Sequence, residues 1–189
     1  MSTATKQTRK LAYIAILSAI SFLLMYFQFP LIPAASFLQV DFSILPVLLA
    51  LVLMDMKSAF AVLTIRTLLK LLLNNGGASS LIGMPMNFIA LGCFLLAIGL
   101  IWNKKRSTKS YIVASIVGTL ALTFAMFALN YVYAVPLYAK FANFDINAIL
   151  GLGNYLFAMV IPFNILEGII FAIAFIALFA ALKPILKKI

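Results

Sequence analysis

Asn164 and Glu167 lie three residues apart inside the apolar run IPFNILEGII, residues 161–170. On a helix this spacing puts both side chains on one face, about one turn apart. The amide offers a donor and an acceptor, and the ionised carboxylate offers acceptors only. An ionisable group flanked by several apolar turns is costly in a membrane and is a functional candidate by default. Two uses fit the pair: contact with a ligand, or a hydrogen-bond or ion pair holding helices together. Arg66 and Lys70, spaced i, i+4 in another apolar run, are the available basic partners. Lys70 lies near the end of its run and can snorkel, or turn inward toward Glu167 or ligand oxygens. Arg66 is deeper and reads as structural.

The other polar residues fall into recognisable situations. Asp55 sits beside Lys57 at a helix end and reads as solvated, and Asp145 reads as a loop residue. Asp41 opens an apolar span, where a carboxylate complements the helix dipole, so capping and ligand contact are both open. Asn87 and Asn130 are amides within helices, and Asn87 is expected to bond a neighbouring helix. Asp41, Lys70, Asn130, Asn164 and Glu167 all fall in the same half of their spans or near the middle. That asymmetry points to a pocket opening on one side, with Phe37, Phe42, Phe88, Tyr131, Tyr133 and Phe163 as candidate walls or as members of an interfacial aromatic belt.

Elements able to position these groups follow from composition. Of 189 residues, 66% are hydrophobic and 10% charged, which identifies an integral membrane protein. Strict in/out alternation is absent, so the spans are helices of one all-α bundle, a single domain over residues 1–189. The spans read as Leu11 to Phe29, Asp41 to Met54, Ser58 to Leu73, Leu81 to Trp102, Tyr111 to Val135 and roughly Leu152 to Leu182. The first has a basic flank but is too long for a signal peptide and is read as a retained helix. The second covers only ~21 Å, so it must borrow preceding residues or be thinned over or covered by protein. The sixth is longer than needed and is expected to begin as an irregular or interfacial segment.

Charge orients this six-helix bundle. Lys6, Arg9, Lys10, Lys57, Lys104, Lys105, Arg106, Lys109, Lys183, Lys187 and Lys188 fall on one side, and Lys140 alone on the other. Both termini are therefore expected in the cytoplasm, with the pocket facing outward. The net charge of +10 sits at helix ends and does not describe a nucleic-acid surface. Of the outer connections, Phe29 to Asp41 holds Pro30 and Pro33 yet is too apolar for a free loop, so it should fold back over the bundle. Residues 74–80, NNGGASS, read as a plain turn. Pro136 to Asn154 reads as a structured loop or half-helix.

The single cysteine, Cys93, and the lack of histidine rule out an internal disulfide or a His/Cys metal site within one chain. Cys93 reads as packing. The chain contains no phosphate-binding G-x-x-x-x-G-K-[ST] loop, nucleophile elbow or H-E-x-x-H pair. ATP-driven work would need another subunit. An enzyme using Glu167 as a general base, or a purely structural subunit, remains the alternative from residues alone.

Ala12, Ala15 and Ala19 lie at i, i+3 and i+7 of the first span, Ala15 and Ala19 forming a small-x-x-x-small pair that permits close packing, internal or with a partner. With the Pro-containing loop leading into DFSILP and the segment PFNILEG, this layout resembles the substrate-binding S component of energy-coupling factor vitamin transporters over essentially the whole chain. Within that family it looks most like the riboflavin-transporting members, ahead of those for thiamine or biotin. The resemblance implies a non-enzymatic, high-affinity subunit of the bacterial cell membrane, with riboflavin as transported substrate and no cofactor. It also implies an EcfT-like transmembrane coupling subunit and two ATP-binding-cassette ATPases as partners, with Ala15 and Ala19 facing the coupling subunit. Asn164, with Glu167 beside it, would read the pyrimidine edge of the flavin, and Asn130, Asp41 and Lys70 the ribityl hydroxyls. Asn164 matches the family pattern, whereas riboflavin-transporting members often carry lysine where this chain has Glu167.

Overall fold

The computed structural model describes residues 3–186. Lys187 and Lys188 of the charge argument lie outside the described residues. The chain is mostly helical. Helix α1, Thr3–Leu24, passes from a basic first half to an apolar second half. It buries Leu17, Ser18, Ser21 and Phe22 and leaves Leu11, Ile16, Ile20 and Leu23 exposed. Ala12, Ala15 and Ala19 lie on that exposed side.

The segment after α1 folds back as expected. Phe29–Pro30 (β1) pairs antiparallel with Gln39–Val40 (β2), Phe29 opposite Val40. Between them Pro33 begins a 3₁₀ turn, Pro33–Ala35, a position where its fixed φ and missing N–H cost nothing. Ala35 and Val40 are fully buried. The loop is thus pinned to the protein by its apolar residues.

Helix α2, Ile44–Leu53, has only ten residues, about 15 Å of rise. Protein covers it, since Ile44, Val47, Leu48 and Ala50 are fully buried. Of the options the sequence left for this span, cover by protein is the one realised. Asp41 does not open the helix. Ser43 is its N-cap residue, and Asp41 Oδ1 accepts from the Ser43 backbone N–H at 2.7 Å. Helix α3, Met56–Leu73, is N-capped by Asp55, which accepts from Ser58 N.

Among the described residues three helices are long and apolar enough, by length and composition, to cross a membrane: α4, Ala78–Lys105; α5, Thr108–Phe141; and the last, within Asn154–Pro184. Each contains a π-helical turn. These are Ile98–Trp102 in α4, Asn130–Ala134 in α5, and Asn154–Val160 leading into the α-helix Ile161–Leu186. A Ser107/Ser110 capping box starts α5, satisfying orphan N–H groups of its first turn. Between α5 and the last helix lies the short α6, Ile146–Leu150, N-capped by Asp145, so the expected structured connection is helical at both ends. The last helix, π turn included, is α7. Its irregular start matches the expectation for the over-long sixth span.

Helix α5 packs between α4 and α7. Gly168 allows the approach to α7, because a Cβ there would come within 2.9 Å of Thr119 Cβ. At one end of the bundle Trp102, Tyr111, Phe175 and Phe179 stack edge to face or tilted. At the other, Ala35, Ile146, Tyr155, Leu156 and Val160 join the β1–β2 loop to α6 and α7. The outward surface carries large apolar side chains such as Leu72, Phe124, Phe157 and Ile173, each more than 60% exposed. A surface of this kind suits hydrocarbon.

Candidate binding cavity

A cavity of about 590 Å³ lies beneath the β1–β2 loop, within the size range of small-molecule sites. The loop contributes Phe37, Leu38, Gln39 and Asp41; α4 contributes Met86, Asn87, Ala90 and Leu91; α5 contributes Met126 and Asn130; Phe144, Ile146 and Tyr155 close one side; and α7 contributes Phe163 and Glu167. Aromatic rings at Phe37, Phe144, Tyr155 and Phe163 give it flat apolar walls. Phe37 meets Phe144 and Tyr155 at centroid distances of 6.2 Å, tying the loop to the segment around α6.

The polar groups converge for local reasons. Asn130 begins the π turn of α5. Its Nδ2 donates to Met126 O at 2.8 Å, and its Oδ1 accepts from the Tyr155 hydroxyl at 2.5 Å. That bond joins the π turn of α5 to the π turn of α7, a kind of irregularity frequent at functional sites. Asn164, fully buried, donates from Nδ2 to Val160 O at 2.7 Å, while its Oδ1 finds no partner among the described residues. A buried acceptor left unpaired costs of order 1–3 kcal/mol. Asn164 is not itself on the cavity wall, but Phe163 and Glu167 on either side are.

Glu167 is 8% exposed and faces the cavity. No hydrogen bond to its carboxylate forms among the described residues, so the bundle does not satisfy the acid that the sequence singled out. Its electrostatic neighbours are Arg66 and Asp41. Arg66 is fully buried, donating from Nη1 to Ser43 Oγ and from Nη2 to Asn87 Oδ1 at 2.5 Å, with Nε unpartnered among the described residues. Through Ser43 it sits beside the backbone that holds Asp41. Arg66 therefore ties α2, α3 and α4 together behind the cavity wall, the structural role expected of it, and Asn87 bonds a neighbouring helix as expected.

Of the sequence-selected residues, Asp41, Asn130 and Glu167 line the cavity, and Asn164 lies on α7 between two lining residues, Phe163 and Glu167. Lys70 does not line it. Its ammonium donates to Asn74 Oδ1 at 2.7 Å and lies 5.7 Å from the Tyr26 ring centre, at the C-terminus of α3 and off the cavity lining. Snorkelling, the cheaper of its two readings, describes it. Of the aromatic candidates, Phe37 and Phe163 line the cavity, whereas Phe42, Phe88, Tyr131 and Tyr133 do not. Gln28, Gln39, Tyr138, Phe144 and Tyr155 line it without having been singled out. The aromatics and Asp145 of the segment 136–154 were the available sign that it covers something.

A lipid-facing helical bundle, capped by an apolar loop over a ligand-sized cavity with converging amides and carboxylates, defines a membrane-embedded small-molecule receptor. The chain belongs to the energy-coupling factor transporter family as a substrate-specific component, since the family description "ECF transporter, substrate-specific component" matches residues 9–179. It is 66% identical over 182 residues to the riboflavin transporter RibU of Streptococcus thermophilus, covering 96% of this chain and 86% of the relative. It is 39% identical to RibU of Leuconostoc mesenteroides, covering 96% and 95%. A solved structure of the S component of a bacterial ECF transporter superposes with a TM-score of 0.79 at 34% identity, covering 96% of this chain and 99% of the other.

Proposed function

We propose that the protein is the riboflavin-binding subunit of a bacterial energy-coupling factor importer. It is a binding protein and not an enzyme, and it works with an EcfT-like coupling subunit and two ATP-binding-cassette ATPases. It crosses the cell membrane six times, through α1, α2, α3, α4, α5 and α7, with both termini in the cytoplasm and the cavity opening outward. The eleven-to-one division of basic residues between the two sides supports that orientation.

The observation that carries the ligand assignment is the pairing of flat apolar walls with unpaired polar groups. The isoalloxazine ring fits between Phe37, Tyr155 and Phe163. The Glu167 carboxylate at the α7 wall, with Asn164 Oδ1 unpartnered among the described residues just behind it, would serve the pyrimidine edge, and Asn130 and Asp41 the ribityl hydroxyls. Buried polar groups that need partners discriminate against analogues lacking them. Ala15 and Ala19, exposed together on α1, offer a flat surface for the coupling subunit. Riboflavin is substrate, and no cofactor is needed. The test is the visible absorbance of protein purified from riboflavin-fed cells, before and after denaturation. A released flavin spectrum at near-stoichiometric amount is expected, and colourless protein that also fails to take up added riboflavin would overturn the assignment.

A further inference from the structure

Contacts along α5 and α7 set the register of these two helices. The Tyr111 hydroxyl donates to Ala172 O at 2.6 Å, Thr119 abuts Gly168, the Phe127 and Phe157 ring centres lie 5.6 Å apart, and the Tyr155 hydroxyl donates to Asn130 Oδ1. Residue numbers rise along α5 as they fall along α7, so the helices are antiparallel. Thr123 lies one turn beyond Thr119, and Asn164 one turn before Gly168. The two therefore stand opposite each other in the α5–α7 seam, with contacts between the helices on either side of them. Thr123 is 7% exposed and Asn164 0%, and neither Thr123 Oγ1 nor Asn164 Oδ1 has a hydrogen-bond partner among the described residues. Buried Ser18 and Thr67 close their hydroxyls onto the carbonyl four residues earlier, that of Ile14 and of Leu63, a common resort of a hydroxyl within a helix. Thr123 makes no such bond.

From this juxtaposition we infer that Thr123 positions the Asn164 amide, its hydroxyl donating to Oδ1 across the seam. The consequence for ligand binding rests on the riboflavin reading above. Leaving two buried groups unpaired is costly, and one bond between them removes both penalties. Threonine in a helix divides between two χ1 rotamers, and the bond selects the one that aims the hydroxyl at α7. The amide oxygen carries two lone pairs, so it can accept from Thr123 on one and from a flavin N–H on the other. Asn164 Nδ2 is already held by Val160 O at 2.7 Å. With Thr123 on the oxygen, the carboxamide is fixed at both ends before a ligand arrives, and preorganisation of this kind raises affinity. Thr123 is off the cavity lining, so it acts through Asn164.

The experiment measures riboflavin dissociation constants and ligand-free unfolding temperatures for wild type, Thr123→Val, Thr123→Ser, Asn164→Ala and the double variant Thr123→Val with Asn164→Ala. Valine keeps the shape of threonine without the hydroxyl, so Thr123→Val should bind riboflavin ~5- to 30-fold more weakly, whereas Thr123→Ser should stay within ~3-fold of wild type. In Asn164→Ala the hydroxyl has lost its acceptor, and adding Thr123→Val should change affinity by less than ~2-fold. The unfolding temperatures should show the same non-additivity without ligand. If Asn164→Ala does not fold, the contrast between Thr123→Ser and Thr123→Val still decides. Thr123→Val binding within ~2-fold of wild type, Thr123→Ser as weak as Thr123→Val, or additive losses in the double variant would overturn the inference, the last by showing that Thr123 acts independently of Asn164. Failure of the wild type to bind riboflavin would instead overturn the ligand assignment, and the unfolding temperatures would then decide the pairing alone.

Discussion

Replacing Gly168 with alanine should loosen the wall that carries Asn164 and Glu167. The added Cβ would come within 2.5 Å of Thr119 Oγ1, 2.7 Å of its Cγ2 and 2.9 Å of its Cβ. A rotamer change can move the first two atoms but not the third, which is fixed to the α5 backbone. Restoring ordinary contact at 3.4 Å requires α5 and α7 to part by about half an ångström. Small-to-large changes in packed interiors of this kind cost ~1–3 kcal/mol. If half of that is felt at the cavity, riboflavin affinity falls by roughly 2- to 12-fold. The assay pairs thermal unfolding in detergent with a riboflavin titration, for Gly168→Ala, Thr119→Gly and the double variant. The double variant should recover at least ~1 kcal/mol relative to additivity, as expected of residues in contact. Full additivity, or an unperturbed Gly168→Ala, would refute the claim that this approach sets the position of α7.

Tyr155→Phe removes the partner of Asn130 Oδ1 and should cost ~1–3 kcal/mol, read as a fall in unfolding temperature of several degrees. Lys70→Ala should leave riboflavin affinity within ~3-fold of wild type, because Lys70 lies off the cavity lining. Trp at Ala15 or Ala19 should leave riboflavin binding intact while abolishing uptake in cells that supply the coupling complex, checked by parallel binding and transport assays. At the α2–α3 turn, Asp55 is held down at about pKa 2, chiefly by the hydrogen bond from Lys10 Nζ and then by Ser58 N. A lowered folded-state pKa means stabilisation that is complete above about pH 4 and lost as pH falls toward 2. The pair is more than 40% exposed on both sides, so screening holds its worth below ~1 kcal/mol. Asp55→Asn should be slightly less stable than wild type at pH 6 and indistinguishable near pH 2.

The helical class was legible because apolar runs separated by Pro, Gly and Lys clusters leave few other solutions in lipid. Residues 164 and 167 stood out because a carboxylate is so costly among Ile, Leu and Phe. The fold-back of Phe29 to Asp41 followed from apolar residues that prolines keep out of a helix. Less visible were contacts that depend on three-dimensional crossing. Arg66 acts through Ser43 and Asn87, each more than 20 residues distant in sequence, and no spacing rule links them. Lys70 shares a helical face with Arg66, yet one turn is enough to take it from the interior to a snorkelling position beside Asn74. Tyr155 went unremarked at the start of the sixth span, because the π turn that aims it at Asn130 has no clear sequence signature.

The most direct test of the account is a titration of ligand-free protein with riboflavin, followed by quenching of flavin fluorescence, in wild type and Asn164→Ala. Tight, saturable quenching at one flavin per chain is expected, weakened at least tenfold by the substitution. Absence of saturable quenching by wild type, or unchanged affinity in Asn164→Ala, would contradict the claim that Asn164, whose Oδ1 lacks a partner among the described residues, is there to read a flavin.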